Sequence, residues 1–261
     1  MDAFLYALPA WLLFLLVVGV PAGLAWVGTV QLRSRVKRPP GEKHNEVAGF
    51  IFATVGVIYA VLLAFVVIVV WEQYLTAENN VSQEAAALIT VARDTSSFPE
   101  PERALVHDQL RAYAQQVIRD EWRTIDENVL EDQESKDALA RINMMWSIYR
   151  SLPPGSVDPH TSESLDNLSA QRAARLQSNV AALPGALWVG LVLGGVVTIC
   201  FSLILYTENV RFHAALTALL TGLIATSLWM ILVINHPFAG DLHVSTDAFQ
   251  HAIYVIDSVP R

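Results

Sequence analysis

Four long apolar runs without a charged side chain divide the chain. From Ala3 to Leu32 there is no Asp, Glu, Lys, Arg or His, and the second such run is Val47 to Trp71. The third extends from roughly Gly185 to Thr207 and the fourth from Ala214 to Asn235. A helix rising about 1.5 Å per residue needs about 20 residues to cross a ~30 Å hydrocarbon layer. The pattern therefore predicts four transmembrane helices, at about 3–31, 47–71, 185–207 and 213–235, paired as two hairpins.

The second run has no stop at the membrane surface. Past Trp71 the apolar positions continue as Tyr74, Ala77, Val81, Ala85, Leu88 and Ala92, spaced by three or four. This is one narrow seam on a helix whose other faces carry Glu72, Glu78, Asn79, Asn80, Gln83 and Glu84. It predicts a single helix from about residue 46 to 94, on the order of 75 Å long, half in lipid and half beyond it. So narrow a seam packs on another helix, from the same chain or a sister subunit.

Ser96-Ser97-Phe98-Pro99-Glu100-Pro101-Glu102 reads as a turn and helix start. The helix that follows aligns Val106, Leu110, Tyr113, Val117 and Ile118 and ends near Trp122. Another, from about 135 to 152, aligns Leu139, Ile142, Trp146 and Tyr149 and stops at Pro153-Pro154-Gly155. A last one begins near Asp158 or Thr161, aligns Leu165, Leu168, Leu176, Val180 and Leu183, and leads into the third run across Pro184. Strand-like alternation is absent. The fold class expected is all-α: four transmembrane helices with an extracytoplasmic helical bundle inserted between the second and third. The expected segments are a hairpin over 1–75, an acidic helical domain over 76–183, a second hairpin over 184–235 and a C-terminal tail over 236–261.

Composition supports lipid as solvent. Charged residues are 16% of 261, against about 25% in soluble domains. The net charge of −8 lies in the insert: between Glu72 and Leu183 there are 18 acidic and 10 basic residues, and elsewhere seven of each. An acidic insert excludes nucleic acid as a partner and disfavours docking on anionic lipid. The single cysteine, Cys200, excludes an internal disulfide or a cysteine-cluster metal site and reads as a small core residue. Met1-Asp2 gives no basic n-region, and the first run is about twice a signal-peptide core, so it reads as an uncleaved helix.

Arg33, Arg35, Lys37, Arg38 and Lys43, against Glu42 and Glu46, fill the linker between runs one and two. Short basic loops stay cytoplasmic. Both termini and the insert are then expected outside the cytoplasm of a bacterial plasma membrane, with the 208–211 turn inside. Pro9 and Pro21 are candidate kinks in the first helix, and Pro39-Pro40-Gly41 is a stiff break before the second.

Small residues recur at helix-packing spacing: Gly49, Ala53, Gly56, Ala60 and Ala64 in run two, and Gly190, Gly194, Thr198 and Ser202 in run three. They predict close helix–helix contact, with a narrow passage as the other reading. Glu46, Glu72 and Glu78 stand at the two ends of run two, either as mouth carboxylates of a pore or as a capping charge and a solvated face. No charged residue lies mid-membrane, which argues against a proton relay or ion-coupled transport. His236, Asp241, His243, Asp247 and His251 lack any metal-binding spacing, and His107 and His160 read as isolated exposed residues. No nucleophile elbow, phosphate loop or placed carboxylate pair occurs. The expectation is a non-enzyme without cofactor or metal, whose partners are the bilayer, further copies of itself and an ion.

Asn45-Glu46-Val47-Ala48-Gly49-Phe50-Ile51-Phe52, with Trp71-Glu72-Gln73-Tyr74, Ala77-Glu78, Glu84-Ala85-Ala86 and Arg93, resembles the bacterial bestrophin-like domain family. Tyr113 with Val117, Glu121-Trp122, Arg172 with Arg175-Leu176, Pro184 with Trp188, and Pro237-Phe238-x-Gly240 ahead of Val244-Ser245 extend the match to the tail. One departure is Asn235, where the family often carries an aspartate. The resemblance implies a multi-pass bacterial membrane protein and, through the name, likeness to bestrophins, which are homo-oligomeric anion channels. Pro237-Phe238 also reads as a helix stop with an aromatic interface anchor.

Two functions follow as expectations. The first is a homo-oligomeric channel with helix two lining the path, Thr54 and Tyr59 among its polar side chains and Glu46 and Glu72 at the mouths. The second is a non-conducting scaffold or sensor whose outer bundle binds a partner or ligand.

Overall fold

A computed structural model of the chain describes residues 9–35, 42–122, 133–153, 158–180, 183–240 and 242–259. Among them are eight helices and no strand. They are α1 (Ala10–Arg35), α2 (Glu42–Asp94), α3 (Glu102–Gln116), α4 (Gln133–Ser151), α5 (His160–Val180), α6 (Gly185–Ile204), α7 (Val210–Ile234) and α8 (Asp247–Ser258). Four of them, α1, α2, α6 and α7, are long and apolar enough to cross a membrane. The expected break at Pro39-Pro40-Gly41, the linker residues Lys37 and Arg38, the stop at Pro154-Gly155, and Asp241 lie outside the described residues.

Pro9 precedes the first turn of α1 rather than bending it, because a missing N–H costs nothing there. Pro21 follows a π turn at Leu15–Gly19, a local widening that accommodates the lost i→i−4 bond. α2 is unbroken for 53 residues, as the run of apolar positions past Trp71 requires.

The chain forms two units. In the membrane unit α7 lies along α1 and packs on α6. Thr29, Thr217 and Thr221 are buried there, and the Phe14 and Trp229 rings meet edge-on at 5.1 Å. α2 joins through Tyr59, Leu63, Val66 and Val70, spaced by four, three and four, against Leu191, Ile224 and Ile231. Many other apolar side chains of these helices point outward, among them Trp11, Leu24, Phe50, Phe65, Val189 and Leu219. A water-soluble surface carries no such continuous apolar area, so lipid is the solvent of this unit. Cys200, expected in the core, is on this exposed surface.

The second unit has the opposite order, with apolar residues inside. It contains α2 from Gln73 onward, α3, α4, α5 and α8. Its core joins Ala77, Val81, Leu88 and Val91 of α2 to Leu110 and Tyr113 of α3, Ile142 and Met145 of α4, Leu165 and Leu168 of α5, and Phe249 and Ile256 of α8. The C-terminal segment thus supplies a core helix rather than a simple tail. On α4 the buried face runs through Ala138, Ile142 and Met145, and Leu139, expected inside, is exposed. His107, expected exposed, is buried with Nε2 at 3.1 Å from the Ala92 carbonyl, which must accept. Phe238 is likewise a core residue and no interface anchor. It meets Trp122 edge-on at 5.4 Å, placed by a turn in which Gly240 has φ 72°, a conformation glycine adopts without strain.

Candidate functional site

Three constellations stand out. The first is a buried ionic cluster in the second unit. Glu84 of α2, Glu121 just past α3, and Arg172 and Arg175 of α5 are all buried, Glu84 and Arg175 with 0% exposure. Arg175 donates from Nε to Glu84 Oε2 at 2.5 Å and from Nη2 to Glu121 Oε2 at 2.6 Å. Arg172 forks onto the two Glu121 oxygens at 2.9 and 2.6 Å. Tyr113 donates its hydroxyl to Glu84 and receives a bond from Arg172 at 3.3 Å. The remaining surface of Arg175 faces the rings of Trp122 and Phe249, 6.0 and 5.9 Å from its Cζ.

Two carboxylates and two guanidiniums balance, so the cluster is neutral as a whole. That balance is what permits full burial, since an unmatched buried charge costs several kcal/mol. Burial pushes the Glu121 carboxyl up, but Arg175 and Arg172 outweigh it and hold the group below its ordinary range. Burial next to Glu84 pushes the Tyr113 phenol well up, so it stays a donor. No solvent-facing nucleophile or vacant coordination geometry is present in the cluster. Its chemistry is to lock α2, α3, α5 and α8 in one register. In the sequence Glu84, Glu121, Trp122, Arg172 and Arg175 carry only the family resemblance, and the apolar spacing puts Glu84 on a polar face of α2. The structure corrects that placement.

The second constellation lies in the membrane unit, where α1 ends and the α6–α7 turn begins. Arg33 donates to the Leu205 carbonyl at 2.5 Å, lies 4.4 Å over the Tyr206 ring, and is 3.0 Å from His213 Nδ1. Arginine is only a donor, so Nδ1 accepts, and Nε2–H donates to the Ser202 carbonyl at 2.9 Å. Asn45, at the start of α2, pairs with Tyr206 through both its amide atoms, at 2.6 and 3.0 Å. One end of all four membrane helices is thereby stitched together. Sequence reading missed this knot; its only signals were the placement of Arg33 and His213 beside apolar runs.

The third is the outward face of α2. At ~100° per residue, Phe50, Thr54, Val57, Val61, Ile68 and Glu72 fall within about 30° of the direction opposite the Tyr59–Val70 seam. All six are exposed, Phe50 at 77%. Thr54 returns its hydroxyl to the Phe50 carbonyl at 3.1 Å, and Glu46 is exposed beside this face. Tyr59 is on the seam instead: its hydroxyl donates to the Leu191 carbonyl at 2.8 Å, and its ring lies where a Cβ on Gly194 would sit, 2.6 Å from that position. Gly195 shares this cradle, whereas a Cβ on Gly49, Gly56 or Gly190 would meet nothing within 4 Å in the protomer. Ala53, Gly56, Val57 and Ala60 are among the α2 residues that line a groove of about 500 Å³ whose other walls are α6 and α7, so Val57 stands at the edge of the exposed face. Glu78 is exposed on the part of α2 in the second unit.

The other motif residues are dispersed. Trp71 and Arg93 are exposed on α2, Trp188 packs against the Tyr59 cluster, and Pro237 is buried. Asn235 is buried and its Oδ1 accepts from the Leu183 N–H at 2.8 Å, fastening the entry to α6 without a charge. Among the described residues no group of three or more His, Cys, Asp or Glu is placed to hold a metal ion.

The family model for the bestrophin-like domain matches residues 19–249. The chain belongs to the bestrophin-like domain family. Two solved bacterial bestrophin homologues from Klebsiella pneumoniae, one with a leucine-to-threonine and one with a tryptophan-to-alanine substitution, share its fold with TM-score 0.67. Identity is 11% and 13%; coverage is 94% and 95% of this chain and 98% and 96% of theirs. A further crystal structure, described as a membrane protein, matches with TM-score 0.67 at 11% identity, covering 94% of this chain and 98% of the other. No curated protein matches the sequence. The family and the four apolar helices make this a multi-pass membrane protein.

Proposed function

We propose that this bestrophin-like protein is a homo-oligomeric ion channel in which the exposed face of α2 opposite Tyr59 lines the conducting path. The observation that carries the reading is the division of α2 into a seam committed to α6 and α7 and an opposite side on which Phe50, Thr54, Val57, Val61 and Ile68 are exposed among the described residues. That face is apolar through Val57, Val61 and Ile68, with Thr54 and Glu72 as its polar groups. An apolar constriction gates by wetting and drying, and a ring of carboxylates at a mouth sets ion preference. Tyr59, fixed to Leu191, is a packing residue in this arrangement, and the Gly49, Ala53, Gly56 flank is left for contact between subunits. Such a channel performs no covalent chemistry and needs no cofactor.

The basic Arg33–Lys43 segment supports a cytoplasmic position for that side in a bacterial plasma membrane, and we infer that residues 76–183 and both termini are outside. A reporter fused within residues 100–170 should be active outside the cytoplasm; cytosolic activity would reverse the orientation. For conduction, purified protein in planar bilayers should pass current, and Glu72→Gln should shift its reversal potential in asymmetric salt. Silent bilayers across pH and voltage would refute the channel and favour a scaffold whose outer unit binds a partner.

A further inference from the structure

The cationic residues of the membrane unit are gathered at one end. Residues 1–72 and 182–235 contain six Lys or Arg: Arg33, Arg35, Lys37, Arg38, Lys43 and Arg211. All six lie at the end of α1, the start of α2 or α7, or the segment between α1 and α2, and the opposite ends of the four helices carry none. Three acidic residues, Glu42, Glu46 and Glu208, share that end, so cations exceed anions two to one.

The structure distinguishes two roles among the arginines. Arg33 is turned inward and engaged by the Leu205 carbonyl, His213 and the Tyr206 ring. Arg35 is two residues beyond Arg33, and Arg211 two residues before His213. Two residues along a helix turn a side chain by about 200°, so each points away from the Arg33–His213 contact. Both are exposed, and neither has a hydrogen bond or ion pair among the described residues. The Arg33–His213 bond, 3.0 Å long, therefore holds two outward-pointing guanidiniums on neighbouring helix ends at the edge of an apolar, lipid-facing surface. A permanent cation at that depth meets headgroup phosphate before it meets bulk water, and guanidinium matches phosphate in a forked geometry.

We propose that this end of the membrane unit binds the phosphate headgroups of anionic phospholipids through Arg35 and Arg211, with Arg33 as the residue that positions both. The opposite ends of the four helices carry no Lys or Arg, so the preference is confined to one leaflet. An interfacial Lys or Arg contributes roughly fivefold in anionic-lipid association.

The test uses the full-length protein in uncharged detergent micelles titrated with phosphatidylglycerol or phosphatidylcholine, reading the thermal midpoint. Phosphatidylglycerol should raise the midpoint saturably and phosphatidylcholine should not. The Arg35→Gln/Arg211→Gln protein should need roughly 25-fold more phosphatidylglycerol for half the effect, and 0.5 M salt should abolish it in the parent. The Arg35→Lys/Arg211→Lys protein, which keeps both charges, should respond within about fivefold of the parent. Equal shifts with the two lipids, an unaltered response in the glutamine pair, or a lost response in the lysine pair would overturn the proposal. So would an equal shift from glycerol phosphate at matched concentration, which would assign the site to free phosphate.

Discussion

Arg175→Met tests the ionic cluster most severely. Methionine keeps much of the side-chain volume but deletes the contacts at 2.5 and 3.3 Å to Glu84 and at 2.6 Å to Glu121. Two buried carboxylates then share one guanidinium, and Glu84 retains Tyr113 as its cluster donor. Stranding a charge by removing one partner of a buried pair costs about 3–5 kcal/mol. That is a fifth or more of a stability of about 5–15 kcal/mol. At about 2–4 °C per kcal/mol it is a fall of roughly 6–20 °C in the unfolding midpoint. Glu84→Gln alone should also destabilise, because it leaves an excess guanidinium. The two together leave the neutral Arg172–Glu121 pair, so the double variant should lose about 2–3 kcal/mol less than the sum of the singles. Urea unfolding of the full chain in detergent, followed by tryptophan emission with Trp122 6.0 Å from Arg175 Cζ, measures all three. A cost below about 1 kcal/mol for Arg175→Met, or strict additivity, would refute the reasoning.

Gly194→Ala should destabilise by about 1–3 kcal/mol, since its Cβ would fall 2.6 Å from the Tyr59 ring, whereas Gly190→Ala, with open space, should leave the protomer's thermal midpoint unchanged. Burial foremost, with help from Arg103 and Arg111, holds His107 below its ordinary value. Its contribution is therefore complete above pH ~6.5 and is lost as pH falls below that, where the unfolded chain takes up a proton that the folded chain excludes. His107→Gln should reduce the drop in urea midpoint between pH 7.5 and 5.5, and an identical drop would contradict this. Asn209 caps α7 by accepting from the Phe212 N–H at 3.1 Å, so Asn209→Ala should cost about 1 kcal/mol in the same titration.

The membrane helices were legible because spanning lipid imposes a length and a charge rule that few other structures obey. The unbroken α2 was legible too, from spacing that continues past Trp71. Less could be read where residue type and position disagree. Glu84 lies three residues after Val81 and four before Leu88, on the seam itself, but a carboxylate reads as surface unless its partners are known. Those partners, Tyr113 and Arg175, are 29 and 91 residues away. His107 went the same way, flanked by Val106 and Leu110 on a buried face. On α4 the face was drawn through Leu139 because leucine outranks alanine in hydropathy. Packing chose Ala138, whose small side chain lets helices approach. Arg33 looked like any basic residue of a cytoplasmic linker, and nothing local to it announced the His213 and Leu205 contacts some 170–180 residues later. Tyr59 was read for its hydroxyl, whereas two glycines on α6 decide where it lies.

The central claim, that the face of α2 opposite Tyr59 meets water in a conducting path, is tested most directly by cysteine accessibility. In a Cys200→Ser background, single cysteines at positions 50 to 72 are exposed to a charged thiol reagent while current is recorded. Block should recur at positions 50, 54, 57, 61 and 68 and be absent at 59, 63 and 66. Uniform protection along α2, or block that tracks the Tyr59 face, would contradict the account.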